Sequence, residues 1–343
     1  VAPITTILGK YTPVIEQALQ AALADTPEFL GNVVRYHFGW VDQNFVPAQS
    51  DSGKRLRPVL CLLVFEALTG EVAPVLPAAI SLEMIHNFTL LHDDIEDNDR
   101  ERRGRPTVWA VWGQPLAINA GDYLYTLAFK TLYQLDTAAF PPARLFAVQR
   151  LIANACLELT TGQDLDLRFE RLQNVTPAMY LDMVFKKTGA LLEAAVLAGA
   201  TLATDRPDVL ENYRQFADNI GIAFQIRDDI LGIWGDSART GKSADNDLRR
   251  KKKTLPVLYT LEQAAAPRRQ QLQALYASEQ PLTADEIAFV RDCLEETGAR
   301  QYAQHTADGY IERAFAALQR LNIVNQPQTD LETIARFLID RAY

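Results

Sequence analysis

The stretch LLHDDIEDNDRERRG, residues 90–104, follows an apolar run with four aspartates and a glutamate in eight positions, then turns basic. Asp93, Asp94 and Asp97 stand at i, i+1 and i+4, so on a helix all three project toward one side. Uncompensated, they repel one another and oppose the helix dipole, which favours cations at a C-terminus. Solvent could relieve them, as in any acidic last turn, or a divalent cation could. A second set appears in FQIRDDILGIWGD, residues 224–236, where Asp228 and Asp229 sit near the end of another apolar helix with Gln225 one turn earlier. Carboxylates from two helices that can face one another, with room for water and phosphate oxygens, are hard ligands suited to Mg²⁺.

Anion-binding side chains accompany these acids. DSGKRLRP (51–58) offers Lys54, Arg55 and Arg57 where a helix is expected to begin, a favourable place for phosphate. RERRGRP offers Arg102 and Arg103 directly after the first acid cluster; FKKTG offers Lys187 and Thr188; TGKSADNDLRRKKKTLP offers Lys242 and Lys252. Each basic run taken singly reads as a solvated face. Combined with two acid clusters, they describe a cavity for Mg²⁺ and more than one phosphate-bearing group.

The order GKRLRP, HDDIED with RRG, KKTG, FQIRDD and GK…DL…KKKTLP resembles the trans-isoprenyl diphosphate synthases (polyprenyl synthetases) from about residue 50 to 260. The resemblance implies an all-α, isoprenoid-synthase-type bundle around a deep central cavity, a homodimer, and three Mg²⁺ ions per site. It implies head-to-tail condensation of isopentenyl diphosphate with an allylic diphosphate. Carried over by residue, Asp93, Asp94 and Asp97 form the first metal motif and Asp228 and Asp229 the second. Arg102, Lys187, Lys242 and Lys252 would hold the allylic diphosphate; Lys54, Arg57, His86 and Arg103 would hold isopentenyl diphosphate. Thr188 and Gln225 match polar positions beside the reacting carbons. One position departs from the pattern: a full DDxxD needs an aspartate at 232, where this chain has Gly232, and the next acid is Asp236. That leaves two protein ligands and more water at the second site, which Mg²⁺ tolerates.

Upstream of the first motif lies the wall along which a product would grow: Phe88 and Thr89, with Ile85 and Met84 a turn deeper. A single aromatic five positions before an uninterrupted DDxxD resembles the geranylgeranyl diphosphate synthases, whereas farnesyl-forming relatives tend to carry a second aromatic beside it or an insertion in the motif. A farnesyl or longer-chain synthase is the alternative, and Phe88 also fits an ordinary core position. Other readings fit less of the chain. EMIH (83–86) is an ExxH of the helical di-iron type, but no second ExxH exists and the four histidines are scattered. His92-Asp93 resembles the HD phosphohydrolases but leaves the second acid pair and KKTG unused. A terpene cyclase is favoured by Gly232 and opposed by Lys54, Arg57 and His86. A non-catalytic partner subunit would be expected to lose the first acid motif, which is intact.

These residues must be carried by helices. Apolar residues recur at three- and four-residue spacing through most of the chain, predicting helices near 9–24, 29–45, 55–69, 75–98, 115–135, 141–164, 177–202, 207–234, 255–264, 284–297, 299–321 and 329–340. With 343 residues, 48% hydrophobic and 22% charged, the chain can bury a large core. No linker or low-complexity run divides it, so one domain over 1–343 is expected. A net charge of −9 argues against a nucleic-acid partner. Cys61, Cys156 and Cys293 form no CxxC or disulfide framework, which fits a reducing compartment. The N-terminus has no signal-like pattern, and apolar runs such as AAVLAGATLA are too short for a bilayer. The expectation is a cytoplasmic protein without a transmembrane segment.

Overall fold

The alanine- and leucine-rich runs fold as helices almost throughout, and the protein is all-α apart from one small hairpin. The computed structural model describes residues 3–51, 53–235, 246–278 and 280–339. The helices are α1 (Ile4–Ala22), α2 (Glu28–His37), α3 (Leu56–Thr69), α4 (Leu76–Glu96), α5 (Val108–Trp112), α6 (Gln114–Leu132), α7 (Pro142–Arg171) and α8 (Pro177–Val184). They continue with α9 (Ala190–Ala203), α10 (Pro207–Trp234), α11 (Asn246–Arg249), α12 (Leu255–Gln263), α13 (Ala266–Ala277), α14 (Ala284–Glu296), α15 (Ala299–Arg320) and α16 (Gln326–Ile339). Two compact units emerge: the described residues within 1–153, 194–206 and 324–331, and those within 154–193, 207–323 and 332–343. Three of the boundaries fall inside α7, α9 and α16, so no linker composition marks them.

In the first unit, α3 and α4 are buried on nearly every side, including the continuous runs Pro58–Phe65 and Ala78–Ile85. Helices buried all round carry little amphipathic signal. α1 packs Ile7, Tyr11, Ile15 and Leu19 inward at four-residue spacing. Where α6 meets α4, Gly121 permits close approach: a Cβ there would stand 2.3 Å from Nε2 of His92. After α4, strands β1 (Glu101–Arg102) and β2 (Arg105–Pro106) pair antiparallel. Arg103 and Gly104 close them with φ of 52° and 71°, a two-residue loop whose twist suits a hairpin.

In the second unit, α10 packs along α15, and Ile226, Ile230, Leu255, Leu258, Ala303 and Ala307 join one core cluster with Tyr180 and Met183. α14 opens with a capping box between Thr283 and Glu286. Between α8 and α9, residues Phe185–Gly189 form one π-helical turn. Two glycines make room for it. A Cβ on Gly162 of α7 would lie 2.2 Å from the Lys187 backbone nitrogen, and one on Gly221 of α10 would lie 2.9 Å from the Gly189 Cα.

Several elements differ from the sequence expectation. α2 stops at His37 rather than 45, because Gly39 turns left-handed at φ 81° and residues 39–50 fold back, with the Ala48 N–H bonded to the Trp40 carbonyl at 2.9 Å. α7 runs two turns past 164, and α13 was not foreseen. Among the described residues one segment, Ala73–Glu96, is by length and composition apolar enough to cross a membrane, unlike the shorter run AAVLAGATLA. Its burial within the fold accounts for that apolarity.

Candidate active site

The first unit gathers one set of predicted residues at the end of α4. Asp93 and Asp97 stay in helical register, the Asp97 N–H bonding the Asp93 carbonyl at 2.8 Å, which keeps both on one face. Asp94 is buried, and its Oδ1 accepts from Arg102 Nε at 2.7 Å. Its Oδ2 is buried with no hydrogen-bond partner. Burial pushes its carboxyl up to about 6 despite Arg102. The segment after the acids is pinned by α5: Trp109 Nε1 and Thr107 Oγ1 both donate to the Asp99 carbonyl, at 2.8 and 2.9 Å. That is the task of Trp109; Trp112 instead stacks on Phe45 and meets Tyr36 edge-on.

The hairpin turns Arg102 and Arg103 into a cleft lined also by Tyr36, His37, Asp51 and Asp94. Burial, and then the charges of Arg57, Arg103 and Arg102, push the His86 imidazole well below its usual range. His37 is pushed down to about 3 by burial and by Arg102, Arg103 and Arg55. Two neutral imidazoles among guanidinium groups mark a strongly cationic pocket that favours an anion. Sequence reasoning missed His37, which lies outside the recognisable motifs in a segment read as plain helix.

Arg55 corrects the sequence reading. Rather than waiting for phosphate, its side chain is fully buried between Glu16 and Glu83, with Nε–Oε1 and Nη1–Oε1 distances of 2.7 and 2.8 Å. Its backbone is left-handed (φ 50°) at the N-cap of α3. The arginine therefore anchors the turn that carries its neighbours: Lys54 is exposed and Arg57 half-buried. Along the proposed growth path, the Phe88 ring lies against His92 (4.8 Å) and Tyr125 (4.9 Å). Thr89 Oγ1 donates to the His86 carbonyl at 2.7 Å. Met84 and Ile85 present no exposed surface.

The second unit gathers the other set. A cleft is lined by Asp166, Tyr180, Lys187, Thr188, Gln225, Asp229 and Lys252, among others. A hydrogen-bonded chain orders them. Tyr180 Oη donates to Asp229 Oδ2, Gln225 Nε2 to Asp229 Oδ1 at 3.3 Å, and Thr188 Oγ1 to Gln225 Oε1 at 3.3 Å. Lys187 pairs with Asp166 at 2.5 Å. Burial raises the Asp229 carboxyl to about 6, although Lys252, Tyr180 and Gln225 pull the other way. Burial by itself would lower Lys252, but the carboxylates of Asp229, Asp166, Asp247 and Asp228 outweigh it and hold the amine charged. Its neighbour Lys253 does different work, donating to the carbonyls of Glu170 and Leu172 at 3.2 and 2.7 Å and to that of Phe169, so that it caps α7. Asp228 is exposed and Asp229 buried. Lys242 and Asp236 lie outside the described residues. Asp166 and Tyr180 were missed as site residues; Asp166 stands in GQDLDL (162–167), outside the motifs read above, and no spacing singled out Tyr180.

Among the described residues no three His, Cys, Asp or Glu side chains converge as a ready cage for a metal ion. Mg²⁺ rarely uses such cages: it retains waters and binds through one or two carboxylates plus substrate phosphates. In each unit a carboxylate fits a cation that arrives with a diphosphate: the orphaned Asp94 oxygen in the first, and the exposed Asp228 in the second.

The polyprenyl synthetase family model matches residues 39–294. The chain is 36% identical over 338 residues to the (2E,6E)-farnesyl diphosphate synthase of Mycobacterium tuberculosis, covering 98% of this chain and 92% of that protein. It is 37% identical over 300 residues to the geranylgeranyl diphosphate synthase of the same organism, covering 88% and 84%. Its fold is similar to that of the polyprenyl synthetase from Streptomyces coelicolor A3(2), with a TM-score of 0.89, 32% identity and 98% and 100% coverage. It also matches the polyprenyl synthase from Caulobacter crescentus CB15, solved with calcium and isoprenyl diphosphate, at TM-score 0.83, 25% identity and 99% and 97% coverage.

Proposed function

Because this chain belongs to the polyprenyl synthetase family and is a prenyltransferase that elongates prenyl chains with a divalent metal, we propose that it condenses isopentenyl diphosphate head to tail with an allylic diphosphate, to geranylgeranyl diphosphate, using three Mg²⁺ ions. The observation that carries this reading is a buried carboxylate facing cations in each unit: Asp94 bonded by Arg102, and Asp229 lining one cleft with Lys187 and Lys252. Carboxylates shifted by burial and set beside cations in a cleft mark a functional site.

Asp93, Asp94 and Asp97, and Asp228 and Asp229, would hold the metal. Bound there, Mg²⁺ would neutralise charge gathering on the departing diphosphate. Arg102, Lys187 and Lys252, with Lys242, grip the allylic diphosphate, while Lys54, Arg57, His86 and Arg103 grip isopentenyl diphosphate and hold its double bond beside the reacting carbon. The locked dipoles of Thr188 and Gln225 stabilise an allylic cation without offering a nucleophile that would trap it. A proton then leaves the condensed product for the released pyrophosphate, so no protein base is required. This reading takes residues 1–343 as one isoprenyl diphosphate synthase domain.

Product length rests on Phe88, whose ring stands with Tyr125 beside the first motif. The enzyme acts as a homodimer, in which Ile118 on α6, Tyr133 at its C-cap and Phe146 on α7, 43%, 70% and 71% exposed, are apolar surface for a second copy to cover. The buried free cysteines suit a cytoplasmic setting. Incubation of purified protein with Mg²⁺, isopentenyl diphosphate and allylic primers of several lengths tests the reading. A twenty-carbon diphosphate is expected; a cyclic hydrocarbon, or no elongation from any primer, would overturn it.

A further inference from the structure

The second acidic motif lacks its third aspartate, and the structure shows what occupies the space. Gly232 lies on α10 at i+4 from Asp228, one turn along the same face. A Cβ at Gly232 would stand 2.1 Å from Oδ2 of Asp247 and 3.1 Å from its Cγ. The carboxylate of Asp247, carried on α11, therefore fills the volume that a side chain at 232 would need. A glycine in the interior of a helix is unfavourable, and this close approach supplies the reason for it.

A second observation places Asp247 in the same charge cluster. Lys252 lines the same cleft as Asp229. The Lys252 N–H also bonds the Asp247 carbonyl at 2.9 Å, so one turn delivers both residues. Asp247 thus stands against the last turn of α10, which carries Asp228 and Asp229; the three form no closed cage, and Lys252 follows Asp247 within one turn.

We propose that Asp247 is the third carboxylate of the second metal-binding set, reaching from α11 into the room left by Gly232. The set is then Asp228, Asp229 and Asp247, and the glycine is a relocation of the acid rather than its loss. This rests on the reading above that Asp228 and Asp229 hold Mg²⁺. Asp247 acts in or next to the metal's shell, and its carboxylate, rather than its volume, is what matters.

The test measures metal binding rather than turnover. Mn²⁺ is titrated into the full chain with inorganic pyrophosphate, with free Mn²⁺ followed by electron paramagnetic resonance, for wild type, Asp247→Asn, Asp247→Gly and the exchange Gly232→Asp/Asp247→Gly. Asp247→Asn keeps the shape and removes the charge. It is expected to weaken one class of Mn²⁺ sites about 10–100-fold, the usual effect of losing a carboxylate at or beside a metal shell. Its unfolding temperature without metal should stay near that of wild type. The exchange variant should recover at least about tenfold of the affinity lost in Asp247→Gly, since the acid returns at 232 with the obstruction removed. Wild-type binding in Asp247→Asn, or no recovery on exchange, overturns the proposal while leaving the metal reading intact. If Asp247→Asn does not fold, the exchange variant decides by itself. Failure of wild type to bind Mn²⁺ with pyrophosphate overturns the metal reading itself.

Discussion

Gly162→Ala adds one methyl group where α7 meets the π-helical turn that carries Lys187 and Thr188. By helix propensity the change should stabilise α7 by about 1 kcal/mol. The surroundings reverse that sign. The new Cβ would lie 2.2 Å from the Lys187 nitrogen, 2.6 Å from its Cα and 2.7 Å from the Lys186 carbonyl carbon, whereas ordinary contact begins at 3.4 Å. All three atoms are backbone, so no rotamer change relieves the overlap and the turn must move by about 1 Å. Overpacking of this kind costs about 1–3 kcal/mol, for a net loss of about 0–2 kcal/mol after the propensity gain. A displacement of about 1 Å at substrate-positioning groups can lower rate about 100-fold, or about 2.7 kcal/mol of barrier. The expected result is an unfolding temperature lower by a few degrees and kcat/KM for the allylic diphosphate down about 100-fold. Thermal unfolding and steady-state kinetics read both. A variant more stable than wild type with unchanged kinetics would refute the close packing of α7 on the Lys187 turn.

Phe88→Ala should lengthen the product by at least one isoprene unit, read by chromatography of the dephosphorylated products; an unchanged profile removes Phe88 as the stop. Arg55→Met leaves Glu16 and Glu83 without their shared cation and should cost about 3–5 kcal/mol in denaturant unfolding; a loss below about 1 kcal/mol would show the pair to be solvent-relieved. Asp218, raised to about 7 by burial and then by Glu193, gives a pH signature. Its folded pKa exceeds the unfolded value of about 4, so the native state takes up a proton, and the destabilising effect of its charge grows from pH 4 to 7 and is complete above 7. Asp218→Asn should therefore stabilise by about 1–2 kcal/mol at pH 8, after discounting for partial exposure. The gain should vanish near pH 4, and a pH-independent gain would contradict the burial argument.

Much of this architecture was legible in the residues. α10 reads correctly at both ends, since Pro207 opens it and its apolar spacing runs unbroken to Trp234. The acid clusters and cationic runs are written at fixed local spacing, so they stand out without a structure. What stayed hidden depends on contacts between distant segments. Arg55 and Arg57 look equivalent in GKRLRP, yet Glu16 and Glu83, 39 and 28 residues away, bury only the first. Tyr180 reaches Asp229 across 49 residues, and Asp247 fills the space above Gly232 from a different helix. The π turn shifts register by a single residue and is permitted by Gly162 and Gly221, which no periodicity reveals. The hairpin holding Arg102 and Arg103 has two residues per strand, too few for alternation to register. The apolar spacing through 38–45 continued that of α2 and concealed the turn at Gly39.

The most direct test of the account is the stoichiometry of pyrophosphate release with Mg²⁺ and an allylic diphosphate, with and without isopentenyl diphosphate. Chain elongation predicts one pyrophosphate for each isopentenyl unit incorporated, and none above background from the allylic substrate by itself. Pyrophosphate released from the allylic diphosphate without isopentenyl diphosphate, with an alcohol or cyclic hydrocarbon as product, would contradict it.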